Sequence, residues 1–133
     1  MGAIRRGRWS DIMKCLSVKN PYAGWIADGS KTIELRSWRS HYRGLVIICA
    51  SARGATTDHG MPDGVARCLV TLVDIRPFTR ADARAARNKW RRGLYAWVLV
   101  GCLPLRPVPV KGRLGLFPPP PALLRALNIS AKP

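Results

Sequence analysis

The chain contains few acidic residues. Seven aspartates and glutamates stand against 23 lysines and arginines among 133 residues, which gives a formal net charge of +16, and Glu34 is the only glutamate. A protein of this charge is expected to bind a polyanion, because lysine and arginine displace the counterions of nucleic acids. A GC-rich genome would explain the excess of arginine over lysine, but it would not explain the shortage of acids. We therefore expect a nucleic acid or a nucleotide as the partner.

Long apolar segments are also absent. No stretch approaches the roughly 20 apolar residues that a membrane-spanning helix needs, so we expect no membrane partner. The segment 1–12 carries Arg5, Arg6 and Arg8 but no apolar core of a secretory signal. We interpret it as a disordered basic arm or a non-native extension, with Met13 as an alternative start. The expected protein is soluble and cytoplasmic.

The sequence lacks the residue spacing of a metal site. Its four cysteines lie far apart along the chain, and its two histidines have no second ligand at a suitable distance. We expect neither a metal nor another cofactor, and we interpret the cysteines as reduced core residues. The residues concerned are Cys15, Cys49, Cys68, Cys102, His41 and His59.

What is present is a series of short apolar segments separated by glycine and proline. The length suits one domain, which we place at residues 13–117, followed by a proline-rich turn and a short helix at 118–133. The predicted fold is mainly β (α+β), a small β-barrel of five to six strands with two or three short helices. The predicted strands cover 14–18, 31–38, 45–50, 65–75, 94–103 and 105–110, and predicted helices cover 21–28 and 79–90.

The predicted strand at 31–38 carries the only glutamate. Side chains alternate between the two faces of a strand, so Ile33 and Leu35 are expected on one face and the polar set on the other. Lys31 lies where the chain enters the strand, and its long stem can reach the polar face. An edge strand with a solvated ion pair is the alternative interpretation. The polar set consists of Thr32, Glu34, Arg36 and Trp38.

These side chains suit recognition or hydrolysis of a nucleotide. Lys31 and Glu34 are the candidate catalytic pair, as proton donor and base. Arg36 would hold a phosphate, and Tyr22 or Trp38 would stack on a base. The same set would form a binding pocket without catalysis, because a carboxylate accepts a hydrogen bond from the exocyclic amine of cytosine. Further candidate contacts at the neighbouring strand end are Ser17 and Lys19.

A second basic feature lies in the predicted helix 79–90. Thr79 and Asp82 have the spacing of a capping box at its start. Four arginines follow at helical spacing, and like charges so placed repel one another when no glutamate lies between them. We expect this stripe to contact nucleic acid, and a solvated charged face is the alternative. Its members are Arg80, Arg84, Arg87 and Arg91.

Several segments resemble the ASCH domain family of the PUA-like superfamily. The similarity rests on Leu16–Ala23, on the pattern G-x-K-x-x-E-x-R within Gly29–Trp38, and on Tyr42–Ser51. The later segments 93–99 and 104–117 are similar to the closing strands of that family, so the resemblance extends over about residues 14–117. It implies a PUA-like pseudo-β-barrel linked to recognition of RNA and modified nucleotides.

The resemblance also implies a cleft lined by the lysine, acid and arginine of the pattern. Some members are RNA hydrolases or amidohydrolases that act on acylated cytidine. In the amidohydrolase branch a threonine takes the position of Glu34, and a later glutamate completes the site. This chain has no later glutamate, and its possible substitutes are Asp58, Asp63, Asp74 and Asp82.

Three functions stay open. The first is a module that binds RNA, in preference to DNA, or a modified nucleotide, with or without hydrolysis. The second is an enzyme, either a ribonuclease or a nucleoside amidohydrolase. The third is a non-enzymatic accessory or regulatory protein that meets nucleic acid through its charge alone. The third function would not depend on the strand at 31–38.

Overall fold

A computed structural model describes residues 11–52 and 60–129. The predicted basic arm, up to residue 10, lies outside these ranges, as do His59 and Asp58. Within them the chain forms six strands and three short α-helices. The strands are β1 Met13–Lys19, β2 Ile33–Arg36, β3 Gly44–Ser51, β4 Val65–Pro77, β5 Tyr95–Pro104 and β6 Leu116–Phe117. The helices are α1 Tyr22–Ala27, α2 Ala83–Ala86 and α3 Pro121–Ala126.

The six strands form one mixed sheet in the order β2-β5-β4-β3-β1-β6. β1 pairs with β3 in parallel, and the other neighbours are antiparallel. The sheet curls into a half-barrel. This architecture confirms the predicted class, which is mainly β with a few short helices.

The parallel pair β1–β3 lies at the centre of the core. Ile47 and Ile48 are adjacent in sequence and both fully buried, because apolar layers cover both faces of the sheet at this point. One layer contains Ile26 of α1 and Trp97 of β5. The other contains residues of α3, such as Leu123. The C-terminal helix, predicted after Pro121, is therefore present and packs against the same core.

No helix in the described part of the chain is long and apolar enough to cross a membrane.

Helix α1, Tyr22–Ala27, is one residue shorter at each end than the predicted 21–28. Asn20 precedes it, and its Oδ1 accepts a hydrogen bond from the Gly24 N–H at 3.2 Å. The helix stops at Asp28, and Gly29 follows with a φ of 83°, a conformation that glycine adopts without strain. This turn directs the chain into β2 and so positions Lys31.

The prediction of one helix over residues 79–90 is wrong. A 3-10 turn, Arg80–Asp82, leads into α2, which ends after one turn. The end is a Schellman motif, in which the Asn88 N–H donates to Ala83 O and the Arg87 N–H donates to Arg84 O, each at 3.1 Å. Arg87 takes a left-handed φ of 51° there. Arg80 and Arg84 therefore lie before the end of α2, Arg87 lies at it, and Arg91 lies beyond it. The four arginines do not share a helical face.

Two expectations about the C-terminal half are also wrong. The predicted strand 105–110 is only an isolated bridge between Val65 and Pro109, because its prolines lack the N–H that a strand needs. Cys102 is exposed, whereas the other three cysteines are buried as predicted. Its exposure arises because β5 extends past the end of β2, which pairs only with residues 95–98.

The capping box predicted at residue 79 is confirmed and anchors a larger ionic contact. The buried Asp82 carboxylate accepts hydrogen bonds from the Thr79 N–H at 2.9 Å and from two nitrogens of Arg76 at 2.6 and 2.9 Å. The Arg76 guanidinium holds the pKa of Asp82 below its ordinary value of 3.8. The stabilisation is therefore complete well above pH 3.8 and is lost as the pH falls through and below that value.

We expect Asp82→Asn to lower the free energy of unfolding at pH 7 by about 2 kcal/mol, because it removes charge-assisted hydrogen bonds. The difference between variant and wild type should shrink as the pH falls below about 4. Urea unfolding at pH 7 and at pH 3 measures both effects. A difference that stays constant between the two pH values would contradict this assignment.

Candidate functional site

A cleft of about 890 Å³ opens beside the C-terminal end of β1. β2 forms its floor, α1 and the segment after α2 form two of its sides, and the loop before β6 forms another. The residues that line it are Ser17, Val18, Lys19, Tyr22, Lys31, Glu34, Leu35, Arg36, Ser51, Ala52, Asn88, Arg91, Gly112, Arg113, Leu114 and Gly115. Seven of the eleven predicted site residues lie here, and the four outside are Trp38, Arg80, Arg84 and Arg87.

Glu34 lies between two cations at the floor of the cleft. Its Oε1 is 3.6 Å from the Lys31 Nζ, and its Oε2 is 3.0 Å from the Arg36 Nη2. Only 7% of Glu34 is exposed. β2 is an edge strand, as the alternative interpretation had it, but the Lys31–Glu34 pair is buried and the Arg36–Glu34 pair is partly buried. The predicted alternation holds for Glu34 and Arg36, which both face the cleft, and for Ile33, which packs with Phe78 behind the strand. Leu35 packs against the Ile33 cluster as predicted but also lines the cleft.

The Lys31 ammonium joins β2 to α2. Its Nζ donates a hydrogen bond to Ala86 O at 2.6 Å, which satisfies a carbonyl at the end of that helix. Lys31 is 3% exposed, and this burial lowers its pKa, although the nearby Glu34 carboxylate acts in the opposite direction. Since burial disfavours the charged form, Lys31 gives up its proton more readily than an exposed lysine does, which suits the proton-donor role predicted from the sequence.

Arg36 joins β2 to β1. Its Nη2 donates to Ser17 O at 2.7 Å as well as pairing with Glu34. Through these contacts the three charged residues of the G-x-K-x-x-E-x-R pattern fix the relative positions of β1, β2 and α2. The described residues include no cluster of three histidine, cysteine, aspartate or glutamate side chains suited to a metal ion.

The glycine-rich loop before β6 is a wall of the cleft that sequence analysis did not identify as functional. β6 pairs with Cys15 and Leu16 of β1, and this pairing brings Gly112, Arg113 and Leu114 beside the cleft. Leu114 is 96% exposed. Two glycines three residues apart are a weak signal in a sequence, and only the pairing of two strands distant in sequence reveals the role of the loop.

One of the two predicted aromatic residues lines the cleft. Tyr22 is 37% exposed, and the Lys31 Nζ lies 5.7 Å from its ring centroid. Trp38 does not reach the cleft, because β2 ends at Arg36 and the alternation of side chains ends with it. Instead the Trp38 ring packs edge-on against Trp97, with 4.8 Å between ring centroids.

The exposed arginines after α2 extend from the edge of the cleft. Arg91 lines it, whereas Arg87 lies outside it and its guanidinium stacks on the Trp25 ring at 3.7 Å. Trp25 in turn contacts Tyr22 edge-on, with 5.5 Å between ring centroids. Arg80 stacks on Trp90 at 4.1 Å. The arginines predicted to form a stripe therefore divide into separate groups on either side of the helix end.

A family model, the ASCH domain, matches residues 16–109 of the chain. Among solved structures, the chain is similar to the crystal structure of ASCH from Zymomonas mobilis, with a TM-score of 0.65, 15% identity, and coverage of 87% of this chain and 93% of that chain. A serine-to-alanine mutant of ZmASCH from the same organism gives a TM-score of 0.63 at 14% identity, with coverage of 90% and 96%. A tyrosine-to-phenylalanine mutant gives 0.59 at 14% identity, with coverage of 87% and 96%. At such identities the likeness shows the fold alone, and no curated protein matches the chain.

The burial of Glu34 should make its carboxylate important for the stability of the fold. We expect Glu34→Gln to lower the free energy of unfolding by about 3 kcal/mol, because it leaves the buried Lys31 and the partly buried Arg36 without their carboxylate. Asp74→Asn is the matched control, since the Asp74 side chain is 54% exposed and lies 3.9 Å from Arg76. Its cost should stay below about 1 kcal/mol. Urea unfolding at pH 7 measures both, and equal costs would show that Glu34 is a solvated surface residue.

Proposed function

The chain belongs to the ASCH domain family, and on that premise we propose that its basic cleft binds RNA or a modified nucleotide. The observation that carries the proposal is the charge of the cleft lining. Glu34 is its only anionic residue in the part of the chain that the structure describes, against five cationic ones. The cationic residues are Lys19, Lys31, Arg36, Arg91 and Arg113.

The ion pairs within the cleft support the proposal that the ligand is anionic. Glu34 already binds Lys31 and Arg36 at the floor, so its negative charge is compensated within the protein. The other three cations are exposed and lie around the opening. Cations that surround a cleft concentrate the field within it and attract phosphate groups to it.

The size of the cleft and its aromatic residue suit a nucleotide unit. A volume of about 890 Å³ lies at the upper end of the range of pockets that hold small ligands. Tyr22 offers a partly exposed ring on which a base can stack, and stacking of this kind tolerates many sequences. Arg87, stacked on the neighbouring Trp25, would continue a surface of rings and guanidinium groups for a strand that leaves the cleft.

Hydrolysis is the second candidate function. The observation that favours it is the buried Lys31, whose pKa is lowered by burial and whose ammonium lies 3.6 Å from Glu34. In this reaction Glu34 would take a proton from the attacking group, the Lys31 ammonium would donate one to the leaving group, and Arg36 would balance the developing charge. The substrate would be RNA or an acylated nucleoside.

The binding proposal predicts a difference between arginines inside and outside the cleft. Arg91→Ala and Arg113→Ala should each weaken binding of a short single-stranded RNA. Each should also reduce the slope of log K against log salt concentration by roughly 0.7. Arg125→Ala is the control, because it removes an exposed arginine of α3 that does not line the cleft.

Fluorescence anisotropy titrations at several salt concentrations measure these slopes. If Arg125→Ala weakens binding as much as the cleft variants do, the protein binds through overall charge, and the third function is correct.

A direct assay separates binding from hydrolysis. We expect end-labelled RNA, and a cytidine acylated on its exocyclic amine, to be recovered unchanged after long incubation with the protein. Gel electrophoresis and chromatography would detect a cleaved product. A product that disappears with Lys31→Met, and persists with Arg125→Ala, would establish the enzyme instead.

A further inference from the structure

Two buried polar atoms in the cleft have no hydrogen-bond partner in the described part of the chain. They are the Ser17 Oγ and the Arg36 Nε. The remaining atom of this kind, the Arg67 Nη1, belongs to a residue that does not line the cleft. Leaving a buried donor unpaired costs on the order of 1 to 3 kcal/mol, so two such atoms within one cleft call for a ligand that satisfies them.

The two atoms belong to one rigid unit. The Arg36 Nη2 donates to Ser17 O at 2.7 Å and pairs with Glu34 at 3.0 Å. These contacts hold the guanidinium against β1 through its Nη2. The Nε–H has no hydrogen-bond partner in the described part of the chain. The side-chain hydroxyl of Ser17 lies on the same residue whose carbonyl holds the guanidinium. Two unpaired donors therefore belong to residues that are joined directly by a hydrogen bond.

Gly112 packs closely against this unit. A Cβ atom at residue 112 would lie 2.8 Å from the Ser17 Oγ, closer than side chains approach one another without displacement. The backbone of Gly112 does not adopt a positive φ, so its conformation does not require glycine. Glycine at this position thus matters because it lets the backbone of the loop approach the serine hydroxyl.

We propose that the Ser17 Oγ and the Arg36 Nε form a phosphate subsite, with the backbone of Gly112 at its border. The unit combines a fixed guanidinium with a neutral hydroxyl, and Lys19 and Arg113 add positive charge around the same cleft. Phosphate oxygens accept from such a combination, whereas an uncharged base edge makes poor use of it. The inference rests on the proposed function and deepens it: the ligand is a phosphorylated nucleotide, free or within RNA, and not a free nucleoside.

Calorimetric titration with cytidine, cytidine 5′-monophosphate and inorganic phosphate tests the subsite. The wild-type protein should bind the monophosphate at least tenfold more tightly than cytidine, because a charge-assisted hydrogen bond changes affinity by roughly that factor. Ser17→Ala should weaken monophosphate binding roughly five- to tenfold and leave cytidine binding unchanged. Gly112→Ala should weaken monophosphate binding at least as much, because the added methyl group would displace the Ser17 hydroxyl.

The control is Ser37→Ala, which removes an exposed hydroxyl outside the cleft and should leave all three affinities unchanged. Ser17→Ala should fold normally, since its Oγ donates no hydrogen bond within the described fold. Equal wild-type affinity for cytidine and its monophosphate would overturn the subsite while the proposed function stands. Equal weakening of both ligands by Ser17→Ala would also overturn it. If the wild-type protein binds neither these ligands nor RNA, the proposed function fails and the subsite fails with it.

Discussion

The buried carboxylate of Glu34 holds the candidate site together. It pairs with Lys31 at 3.6 Å and with Arg36 at 3.0 Å, and each cation also binds a backbone carbonyl of another element. Without the carboxylate, two positive charges would lie unpaired in a poorly solvated place, which is costly. The only glutamate of the chain therefore has a structural function and an electrostatic one. It allows a very basic protein to bury Lys31 and to hold the partly buried Arg36 beside it at the floor of the cleft.

Local sequence signals predicted the part of the site that strand geometry governs. The period of two placed Glu34 and Arg36 on one face, and the boundaries of α1 followed from Asn20 before the helix and from Asp28-Gly29 after it. These features depend on backbone preferences and on the burial of nearby apolar residues. Such information lies within about ten residues of each position.

The features that were missed depend on contacts between distant segments. The early end of α2 coincides with the hydrogen bond from Lys31 to Ala86 and with the stacking of Arg87 on Trp25, and these partners lie more than fifty residues away in sequence. Trp38 does not line the cleft, and its ring packs against Trp97, which is 59 residues away in sequence. The glycine-rich loop before β6 lies beside the cleft only because β6 pairs with β1. The spacing of residues within a single segment does not predict such contacts.

We propose that the ligand binds at the Glu34 cleft and not over the basic surface in general. A nuclear magnetic resonance titration of the isotope-labelled protein with a short single-stranded RNA distinguishes the two. We expect the largest chemical-shift changes at the Arg36 Nε–H and at the backbone amides of Ser17, Gly112 and Gly115. Changes spread over exposed arginines such as Arg125, with the cleft resonances unmoved, would contradict it.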